Sequence, residues 1–528
     1  MIFYLFLSMS IGILFAIYLS TDTKEDEMDF IKIYNNDTVA VALRPLKKGD
    51  NINEGSISIC LKDHIPNAHK FALQNIKTGD DVIKYGNSIG VATRDIAQGE
   101  WVHDHNVATC ANSTKTYSYE YDSQRAILPG ESSEETFMGY RRKNGDVGIR
   151  NHLAIIPSVF CANGPLQKIA SMASQKYAAC SNFDGILPLT HPYGCSQTGS
   201  DLETTGRILA GIINSANFGG VLVVSLGCEI NNLDHLKKYM GSYDPDRIKF
   251  LVLQESDDEF SDGLKLCGEI YEEMKNDKRE PVSVGDLRIA VNCGGSDGFS
   301  GITANKLVGR LTERLVKNGS TIIMTEVPEM FGAEHLLMNR AINESVYDDT
   351  VSLIKDYTEY FNRYGEKVSD NPTQGNKAGG LSTIEEKSLG CIQKGGNSAV
   401  TQVLKYGERA TESGLVLISG PGNDLTGVTG QIAAGAVLTV FTTGRGTPCG
   451  FAGPTFRLSS NSVLAEKKSG WIDFDAGKML DVTTEKEQQE LEESLYEMIL
   501  STAGGSYTTR NEVNGYYQMG ILRDGVTL

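Results

Sequence analysis

Residues 287–301 read LRIAVNCGGSDGFSG, a short apolar run followed at once by a glycine-rich turn. The segment ANKLVGRLTERLVKNG (304–319) then repeats apolar residues at intervals of three and four, and STIIMTEV (320–327) is a second apolar run. The order strand, helix, strand predicts a βαβ unit with parallel strands. This stretch therefore predicts an α/β fold.

The same pattern recurs along most of the chain. Apolar runs HLAIIPSV, GVLVVSLG, LVLISG and AVLTVFTTG are separated by helical patterns such as LETTGRILAGIINSA. We predict a large α/β region with a mainly parallel sheet, in two parts, 135–285 and 286–528. Ligands bind beyond the carboxyl ends of such strands. The turns SLGCE, NCGGSDGFSG, SGPGND and TTGRGTPCG stand there, so we expect one shared rim.

The segment before this region has a different pattern. Residues 28–110 contain short β-prone runs, VAVAL, SISICL, DVIKY and IGVAT, separated by the turn pieces KKGD, KTGD and AQGE. Such spacing predicts a compact β-rich unit, a barrel or clip of short strands. Residues 111–134 are polar and aperiodic, and we interpret them as a linker.

Residues 1–27 begin with the apolar run MIFYLFLSMSIGILFAIYLS (1–20), which is long enough to span a bilayer. One interpretation is a membrane anchor, and the other is a start codon assigned too early, with Met28 as the true first residue. We favour the second, because nothing after residue 28 is typical of a secreted or membrane enzyme. A cytoplasmic location is therefore expected, with membrane anchoring through 1–20 as the alternative.

Composition narrows the classes of partner. The chain has 528 residues, 22% of them charged, and a formal net charge of -18, which argues against nucleic acid as a partner. Ten cysteines occur without a CxxC pair, so a zinc ribbon is not indicated. Dispersed cysteines in a large chain are typical of a reducing compartment. A small molecule is the expected partner, and a homo-oligomer is left open.

A first group of candidate site residues is histidine-rich. In WVHDHN, His103 and His105 flank one residue, so on a strand they would share a face. Two imidazoles on one face can bind a divalent metal, although two surface histidines at a domain edge would look the same. His69 is followed by Lys70, which could pair with a carboxylate or be solvated.

A second group combines thiols and carboxylates. Cysteine and acidic residues follow strand-like runs, and thiolates suit iron, including iron–sulfur clusters. The loop CGGSDGFSG, with Ser296, could hold a carboxylate in a nest of N–H groups, or its glycines could serve tight turns alone. No GxGxxG follows a first strand, which argues against a dinucleotide site. The members are Cys195, Cys228, Glu229, Cys293 and Asp297, with Cys161 as a further candidate.

A third group is charged and follows later strands or glycine turns. Lysine and arginine there could clamp a carboxylate, and the acidic residues could bind metal or take protons, while each alone is also an ordinary surface charge. The group comprises Glu326, Glu329, Glu334, Lys377, Lys387, Lys394 and Arg445.

These motifs resemble the altronate/galactarate dehydratase family. The segments that carry the resemblance include VAVALRPLKKGD, AHKFAL, WVHDHN, HPYGCSQ, VLVVSLGCE, CGGSDGFSGITAN, TEVPEMFGAEHLL, GNKAGG, EKSLG, TTGRGTPCG and SGWIDFDAG. The likeness runs from about residue 28 to Leu528. One departure is Ala68, where the family has glycine, and alanine disfavours a positive φ there.

The resemblance implies an SAF-type β-clip domain fused to a larger dehydratase region. It further implies a hydro-lyase that converts D-altronate to 2-dehydro-3-deoxy-D-gluconate in hexuronate breakdown, with Fe2+ as the metal. Mn2+ and an iron–sulfur cluster remain alternatives for the metal. A galactarate dehydratase, another hydroxy-acid lyase and a non-catalytic sugar-acid sensor remain alternatives for the function.

We assign the candidate residues three roles from the sequence. Catalytic roles go to His69, His103, His105, Glu229 and Asp297. Substrate binding goes to Lys70, Ser296, Lys377 and Arg445. Metal ligation goes to His103, His105, Cys195, Cys228 and Cys293.

Overall fold

The computed structural model describes residues 28–54, 57–111, 117–120, 126–131 and 133–528. The expectations for residues 1–27, whether anchor or early start, lie outside the described residues. Within these described ranges, no helix is both long enough and apolar enough to cross a membrane.

The small domain is built from short antiparallel strands, as its turn spacing predicts. Four strands form one sheet in the order β1-β2-β5-β8, three form another in the order β6-β7-β9, and β3 pairs with β4. The strands are β1 (Phe30–Ile31), β2 (Val39–Ala42), β3 (Asn51–Glu54), β4 (Ile57–Cys60), β5 (Lys70–Ala72), β6 (Asp81–Lys84), β7 (Asn87–Ala92), β8 (Trp101–Val102) and β9 (Val107–Ala108).

A second unit contains a parallel sheet of four strands in the order β13-β12-β14-β15. A separate antiparallel sheet, β11-β10-β16, lies beside it. The strands are β10 (Thr136–Arg141), β11 (Val147–Gly148), β12 (His152–Pro157), β13 (Ile186–Pro188), β14 (Phe218–Ser225), β15 (Ile248–Val252) and β16 (Glu280–Ser283). The helices are α1 (Asn163–Lys176), α2 (Gly199–Ile213), α3 (Leu233–Met240) and α4 (Glu259–Met274).

The third unit is organised around a parallel sheet of seven strands, in the order β19-β20-β18-β17-β21-β22-β23. The strands are β17 (Arg288–Cys293), β18 (Thr321–Met324), β19 (Val400–Leu404), β20 (Gly414–Ile418), β21 (Leu438–Thr443), β22 (Thr455–Ser459) and β23 (Phe474–Asp475). The helices are α5 (Ala304–Lys317), α6 (Glu334–Met338), α7 (Glu344–Tyr364), α8 (Gln374–Ala378), α9 (Ile384–Cys391), α10 (Asp424–Ala433), α11 (Ser462–Lys467), α12 (Glu485–Gly504) and α13 (Arg510–Asn514). Short 3-10 turns lie at Phe160–Ala162, Leu253–Glu255, Val284–Asp286, Val327–Glu329, Val368–Asp370, Ile392–Gly395 and Ala476–Leu480.

The βαβ unit predicted from residues 287–327 is confirmed as β17, α5 and β18. The two strands pair in parallel from Arg288 opposite Thr321 to Val291 opposite Met324. Both are buried on both faces, which explains why their sequences are continuous apolar runs without alternation. Helix α5 buries its apolar stripe, including Leu307 and Leu315, against the sheet side of the core.

The four turns do not follow strands of a single sheet, because the α/β region contains two separate parallel sheets, and the expectation of one shared rim stays a prediction. The turn SLGCE follows β14 and belongs to the four-stranded sheet. The turns NCGGSDGFSG, SGPGND and TTGRGTPCG follow β17, β20 and β21 and belong to the seven-stranded sheet. Strand periodicity identifies buried parallel strands but does not tell which strands share a sheet.

Candidate active site

The turn after β17 connects the groups that could carry chemistry in the seven-stranded sheet. We call residues Cys293–Gly298 the central loop. The Arg445 N–H donates to the Gly295 carbonyl at 2.8 Å, so one side of the loop meets the turn after β21. At its far end the Gly298 N–H donates to the Gly379 carbonyl at 2.8 Å, just beyond α8. The loop thus joins three parts of the carboxyl edge.

A buried cluster of thiols, carboxylates and ammonium groups lies at the start of this loop. The Cys293 sulfur is 3.5 Å from the Cys391 sulfur, and Glu329 Oε2 lies 3.4 Å from the first and 2.9 Å from the second. Lys394 Nζ contacts the Cys293 sulfur at 2.9 Å, and Lys387 Nζ contacts Glu329 Oε1 at 2.7 Å. We call these five residues the thiol cluster. All five are buried.

The thiol cluster favours the ionised forms of Cys293 and Glu329. A hydrogen bond from Cys391 lowers the pKa of Cys293 to about 6; burial opposes this shift, and the Lys394 charge adds to it. Burial also opposes ionisation of Glu329, but the charges of Lys387 and Lys394 hold its pKa below the ordinary value. The positive charges of Lys387 and Lys394 are therefore balanced by the carboxylate of Glu329 and the thiolate of Cys293. The pKa of the adjacent Glu326 is raised well above its ordinary value by burial and by the Cys293 charge.

Asp424 lies where the thiol cluster approaches the surface. It is the first residue of α10, its side chain is half-buried, and its carboxylate would lie 2.4 Å from a Cβ placed on Gly294. Burial first, and then the charges of Cys293 and Glu329, raise its pKa to about 7. A carboxyl group with a pKa near neutrality can accept and release protons, which is the requirement for a general base or acid.

The thiol cluster also offers a set of metal ligands. One atom each from Cys293, Glu329 and Cys391 lies within 4.8 Å of the other two, and all three residues are buried. Two soft sulfurs with one carboxylate oxygen suit Fe2+ or a similar divalent ion better than Mg2+ or Ca2+. The thiolate state of Cys293 favours ligation, since the thiolate is the form that binds metal. These residues therefore fit the iron that the sequence resemblance implies.

Three of the residues assigned to substrate binding line the central loop. Arg445 is exposed and has no acidic partner in the described part of the chain. Lys377 is partly exposed, and its Nζ lies 3.3 Å from Asp104 Oδ2 of the small domain. Ser296 is buried, and its carbonyl accepts from Asn376 of α8 at 2.8 Å. Arg445 is thus the cation best placed to meet an incoming carboxylate.

Lys70, the fourth such residue, is fully buried. Its Nζ donates to the Gly380 carbonyl and to Glu386 Oε2, both at 2.8 Å, and Lys84 donates to Glu386 Oε1 at 2.8 Å. Burial lowers the pKa of Lys70 to about 8, whereas the two lysine charges, against burial, hold the pKa of Glu386 well below its ordinary value. Lys70 and Lys84 belong to the small domain and Glu386 to α9, so this buried triad joins the two domains.

His103 and His105 do not share a strand face, so the geometric basis for pairing them was wrong. Strand β8 ends at Val102, and His103–Asn106 form a turn closed by the Asn106 N–H bond to the His103 carbonyl at 3.1 Å. Consequently His103 is buried and His105 is exposed. The His105 ring packs on Trp101 with centroids 5.0 Å apart. Their roles as metal ligands stay predictions, which a shared strand face no longer supports.

His69 and His103 face α8 of the large region. His103 Nε2 lies 3.0 Å from the Lys377 carbonyl, and His69 Nε2 lies 3.5 Å from the Ala378 carbonyl. The Trp101 indole N–H donates to His69 Nδ1 at 3.2 Å, so both ring nitrogens of His69 have protein partners. Burial, followed by the Lys70 charge, lowers the pKa of His69 to about 4, which keeps the ring neutral.

The backbone at Ala68 differs from the sequence expectation. Alanine disfavours a positive φ, yet Ala68 adopts a φ of 66° in the left-handed region. Its carbonyl is where the small domain meets the central loop, because a Cβ placed on Gly298 would lie 2.1 Å from it. Docking against the large region therefore stabilises the positive φ of Ala68, although the residue is not a glycine.

Asp297 and Glu229 are both buried and bound by several donors. Asp297 Oδ1 accepts from the Ser300 N–H (2.9 Å) and hydroxyl (2.8 Å) and from the Ser460 hydroxyl (2.8 Å). Glu229 accepts from the Ser158 and Ser225 hydroxyls. Each carboxylate ties neighbouring loops together, and the catalytic roles assigned from sequence stay predictions.

The cysteines grouped together from the sequence occupy two places. Cys293 belongs to the thiol cluster at the seven-stranded sheet, whereas Cys195 and Cys228 follow strands of the four-stranded sheet. The structure supplies Cys391 as the thiol beside Cys293, a residue to which the sequence reasoning gave no role. Cys391 ends α9 inside the motif EKSLGC, and Asp424 follows the turn SGPGN. Both follow quoted motifs, but only the fold brings them to Cys293.

A cavity of about 480 Å³ lies at the amino edge of β14 and β15, away from these clusters. Arg142 and Arg247 line it, and both are paired with Asp277. The charges in this cavity are therefore already satisfied by protein partners.

Comparisons with known families match the chain in three consecutive parts. The Altronate/galactarate dehydratase SAF domain matches residues 28–110. The second domain of D-galactarate dehydratase/Altronate hydrolase matches residues 139–275. The C-terminal domain of D-galactarate/Altronate dehydratase matches residues 284–527.

Curated relatives cover nearly the whole chain. Altronate dehydratase of Bacillus subtilis (strain 168) is 45% identical over 501 residues, which are 94% of this chain and 99% of that protein. Altronate dehydratase of Escherichia coli (strain K12) is 42% identical over 501 residues, which are 95% of this chain and 100% of that protein. Galactarate dehydratase (L-threo-forming) of the same organism is 33% identical over 505 residues, 92% of this chain and 95% of that protein.

Proposed function

Because the chain belongs to the altronate/galactarate dehydratase family and is a hydro-lyase, we propose that it converts D-altronate to 2-dehydro-3-deoxy-D-gluconate in hexuronate breakdown. The choice of substrate rests on the difference in sequence identity between this chain and its relatives. Two altronate dehydratases are 45% and 42% identical to this chain, against 33% for the galactarate dehydratase.

The proposed reaction removes the proton beside a carboxylate and the hydroxyl on the next carbon. The α-proton of a carboxylate is weakly acidic, so the site must stabilise the enediolate that forms. A divalent ion, which we propose to be Fe2+ held by Cys293, Glu329 and Cys391, supplies several kcal/mol of such stabilisation when bound. The lysines of the thiol cluster keep two of these ligands charged.

We assign proton transfer and binding of the substrate carboxylate to residues at the rim of the thiol cluster. Asp424, with a pKa of about 7, is the proposed proton acceptor, since it is half-buried and lies beside the central loop. Arg445 is the proposed partner of the substrate carboxylate. Lys377 is the proposed second cation; its pairing with Asp104 brings the SAF domain to the same rim. Closure by this domain would exclude water from the reaction.

The first experiment measures anaerobic turnover by the chain that starts at Met28. D-altronate, galactarate and sulfolactate are each supplied with and without added Fe2+, and the 2-keto acid product is quantified. Metal-dependent product from D-altronate, at a kcat/KM at least about tenfold above that for galactarate, supports the proposal. Product from galactarate alone would keep the hydro-lyase and replace the substrate. Sulfite and a 2-keto acid from sulfolactate alone would instead indicate a carbon–sulfur lyase and overturn the proposal. Binding of altronate without turnover would instead support a sugar-acid sensor.

A further inference from the structure

The carboxyl edge of the four-stranded sheet brings together three cysteines that the proposed function does not use. Cys161 follows β12, Cys195 follows β13 and Cys228 follows β14. The sheet order β13-β12-β14 makes these three strands neighbours, so their carboxyl ends lie side by side, about 5 Å apart from one strand to the next. Three loops from adjacent strands therefore each carry one thiol to the same edge.

Hydrogen bonds tie the three loops into a closed set. The Phe160 N–H of the first loop donates to the Tyr193 carbonyl of the second at 2.8 Å. The Asn231 N–H of the third loop donates to the Gly194 carbonyl of the second at 3.0 Å. The Asn231 side-chain Nδ2 donates to the Ser158 carbonyl of the first at 2.9 Å. Each loop is thus bonded to both of the others, which fixes the three loops relative to one another.

Glu229 and Gly194 reinforce this arrangement. The buried Glu229 carboxylate accepts from Ser158 in the first loop, and its other oxygen accepts from the Gly227 N–H at 2.7 Å, directly before Cys228. Gly194, directly before Cys195, has a φ of 99°, and a Cβ there would lie 2.2 Å from the Ser158 carbonyl oxygen. Only glycine allows this approach, so the sequence is built to hold the second loop against the first.

Two features of the surroundings suit thiolate ligands. Gln254 follows β15, and its side-chain Nε2 donates to the Cys228 sulfur at 3.6 Å. Hydrogen bonds to ligand sulfurs are a recognised influence on iron–sulfur clusters. Helix α1 begins at Asn163, directly after the 3-10 turn that contains Cys161, and its N-terminus has no side-chain cap. Its positive end would favour a negatively charged ligand at this edge.

The nearby histidine is not a fourth ligand. His191 Nε2 lies 2.8 Å from the Pro157 carbonyl, and its Nδ1 accepts from the Tyr193 N–H at 3.1 Å. Both ring nitrogens are therefore used inside the protein. A structural zinc site takes four protein ligands, which this edge does not supply among the described residues. Three cysteines on bonded loops instead suit a cluster in which iron and sulfide complete the coordination.

We propose that Cys161, Cys195 and Cys228 bind an iron–sulfur cluster of the [4Fe–4S] type, with one iron left without a protein thiolate. None of these three residues belongs to the thiol cluster at Cys293. It stands on the geometry of the four-stranded sheet and does not rest on the proposed substrate.

The test is anaerobic reconstitution of the full chain with equal amounts of ferrous and ferric iron and with sulfide, followed by desalting. Iron, acid-labile sulfide and visible absorption are measured for the wild type and for Cys161→Ser, Cys195→Ser and Cys228→Ser. The matched control is Cys180→Ser, an exposed cysteine of the same domain that precedes β13 at the opposite edge. Cys293→Ser separates this site from the thiol cluster.

We expect roughly four sulfides per chain in the wild type, Cys180→Ser and Cys293→Ser. Each of the other three variants should lose labile sulfide at least about tenfold, since cluster binding depends on the complete set of ligands. Absence of sulfide in the wild type, retention in all three variants, or metal bound without sulfide would each overturn the proposal. Loss in Cys293→Ser alone would place the cluster elsewhere and overturn it too.

A second measurement guards against misfolding of the variants. The wild type is alkylated before and after cluster removal, and each cysteine peptide is quantified by mass spectrometry. Cys161, Cys195 and Cys228 should be protected only in the cluster-loaded protein, while the exposed Cys180 should react equally in both. Equal reactivity of the three thiols in the two forms would contradict the proposal without the use of any variant.

Discussion

The Lys394 ammonium lies 2.9 Å from the Cys293 sulfur, and neither side chain is more than 2% exposed. A second bond from Lys394 to Glu326 Oε2, also at 2.9 Å, leaves the ammonium fully paired. An unpaired charge at this depth would be strongly unfavourable, so the thiolate and the ammonium stabilise one another's ionised state. The ammonium therefore favours the thiolate form of Cys293 and lowers its pKa, together with the larger effect of the hydrogen bond from Cys391.

The first prediction concerns the source of this thiolate. Because the hydrogen bond from Cys391 is the largest cause of the lowered pKa of Cys293, Cys391→Ala should raise that pKa from about 6 by at least about one unit. Cys391→Ser keeps a hydroxyl donor and should restore most of the effect. The measurement is the ultraviolet absorbance of the thiolate against pH, taken as the difference between each protein and the same protein with Cys293→Ser.

Cys267→Ser is the matched control. Cys267 is buried among apolar side chains, and burial raises its pKa to about 12, so its removal should leave the thiolate absorbance near neutral pH unchanged. If Cys391→Ala and Cys391→Ser gave the same pH profile at Cys293, the hydrogen bond would not be the cause of the shift.

The second prediction concerns Asp424. A general base must be ionised, and burial raises the pKa of Asp424 to about 7, so kcat/KM should rise with pH and level off above about 7. Below that pH it should fall about tenfold per unit, as the protonated fraction grows. Asp424→Asn should lower kcat at least about 10²-fold and remove this limb of the profile.

Asn423→Ala is the matched control for that substitution. Asn423 caps the same helix, and its side chain accepts from the Thr426 N–H at 3.1 Å, so its loss should cost stability of about 1 kcal/mol. It should leave the pH profile in place. An unchanged acidic limb in Asp424→Asn would show that another group limits the rate at low pH.

The sequence identifies strands and turns in this protein better than it identifies partners in space. The continuous apolar runs of β17 and β18 predict buried parallel strands, because such strands are covered on both faces. The motif WVHDHN predicts a strand through His105, but a turn begins after Val102 and separates the two rings. Alternation alone does not show where a strand ends.

The thiol cluster illustrates the same limit at longer range. Cys293, Glu329 and Cys391 lie at sequence separations of 36 and 62 residues. The end of β17, a 3-10 turn and the end of α9 bring them together. Residue chemistry identified Cys293, Glu329 and Lys394 as candidates one at a time. Their mutual distances depend on the strand order β20-β18-β17, which no local pattern contains.

The third prediction concerns the buried triad of Lys70, Lys84 and Glu386. Glu386→Gln leaves two buried ammonium groups without their carboxylate, so docking of the SAF domain should weaken by about 3–5 kcal/mol. The measurement is thermal unfolding followed by the fluorescence of Trp101 in a Trp471→Phe background. Asp95→Asn, which removes the exposed Lys77–Asp95 pair, should leave the unfolding temperature almost unchanged.

The pH dependence of this unfolding follows from the sign of the Glu386 shift. Its folded-state pKa is depressed, so its contribution to stability is complete above the ordinary value of about 4.3 and is lost as pH falls below it. The wild-type protein should therefore lose stability from about pH 5 downwards more steeply than Glu386→Gln does. Parallel acid profiles for the two proteins would show that the triad does not carry the docking energy.

The fourth prediction concerns the contact of the central loop with the SAF domain. A Cβ on Gly298 would lie 2.1 Å from the Ala68 carbonyl oxygen, a backbone atom that cannot rotate away. Gly298→Ala should therefore displace the SAF domain and break the contacts of His69 and His103 with α8. Turnover should fall about 10²-fold, since a displacement of 1 Å suffices for such a loss. Trp101 emission should shift to the red as its environment opens to water.

Gly470→Ala is the control, because a Cβ there meets no atom within 4 Å and turnover should stay within about twofold of wild type. A displaced domain and a misfolded chain would both lower turnover, so the melting of the large region must be followed separately through Trp471 in a Trp101→Phe background. We expect that transition to be unchanged in Gly298→Ala. Loss of both transitions would show that the central loop supports the fold of the large region and not only the docking of the SAF domain.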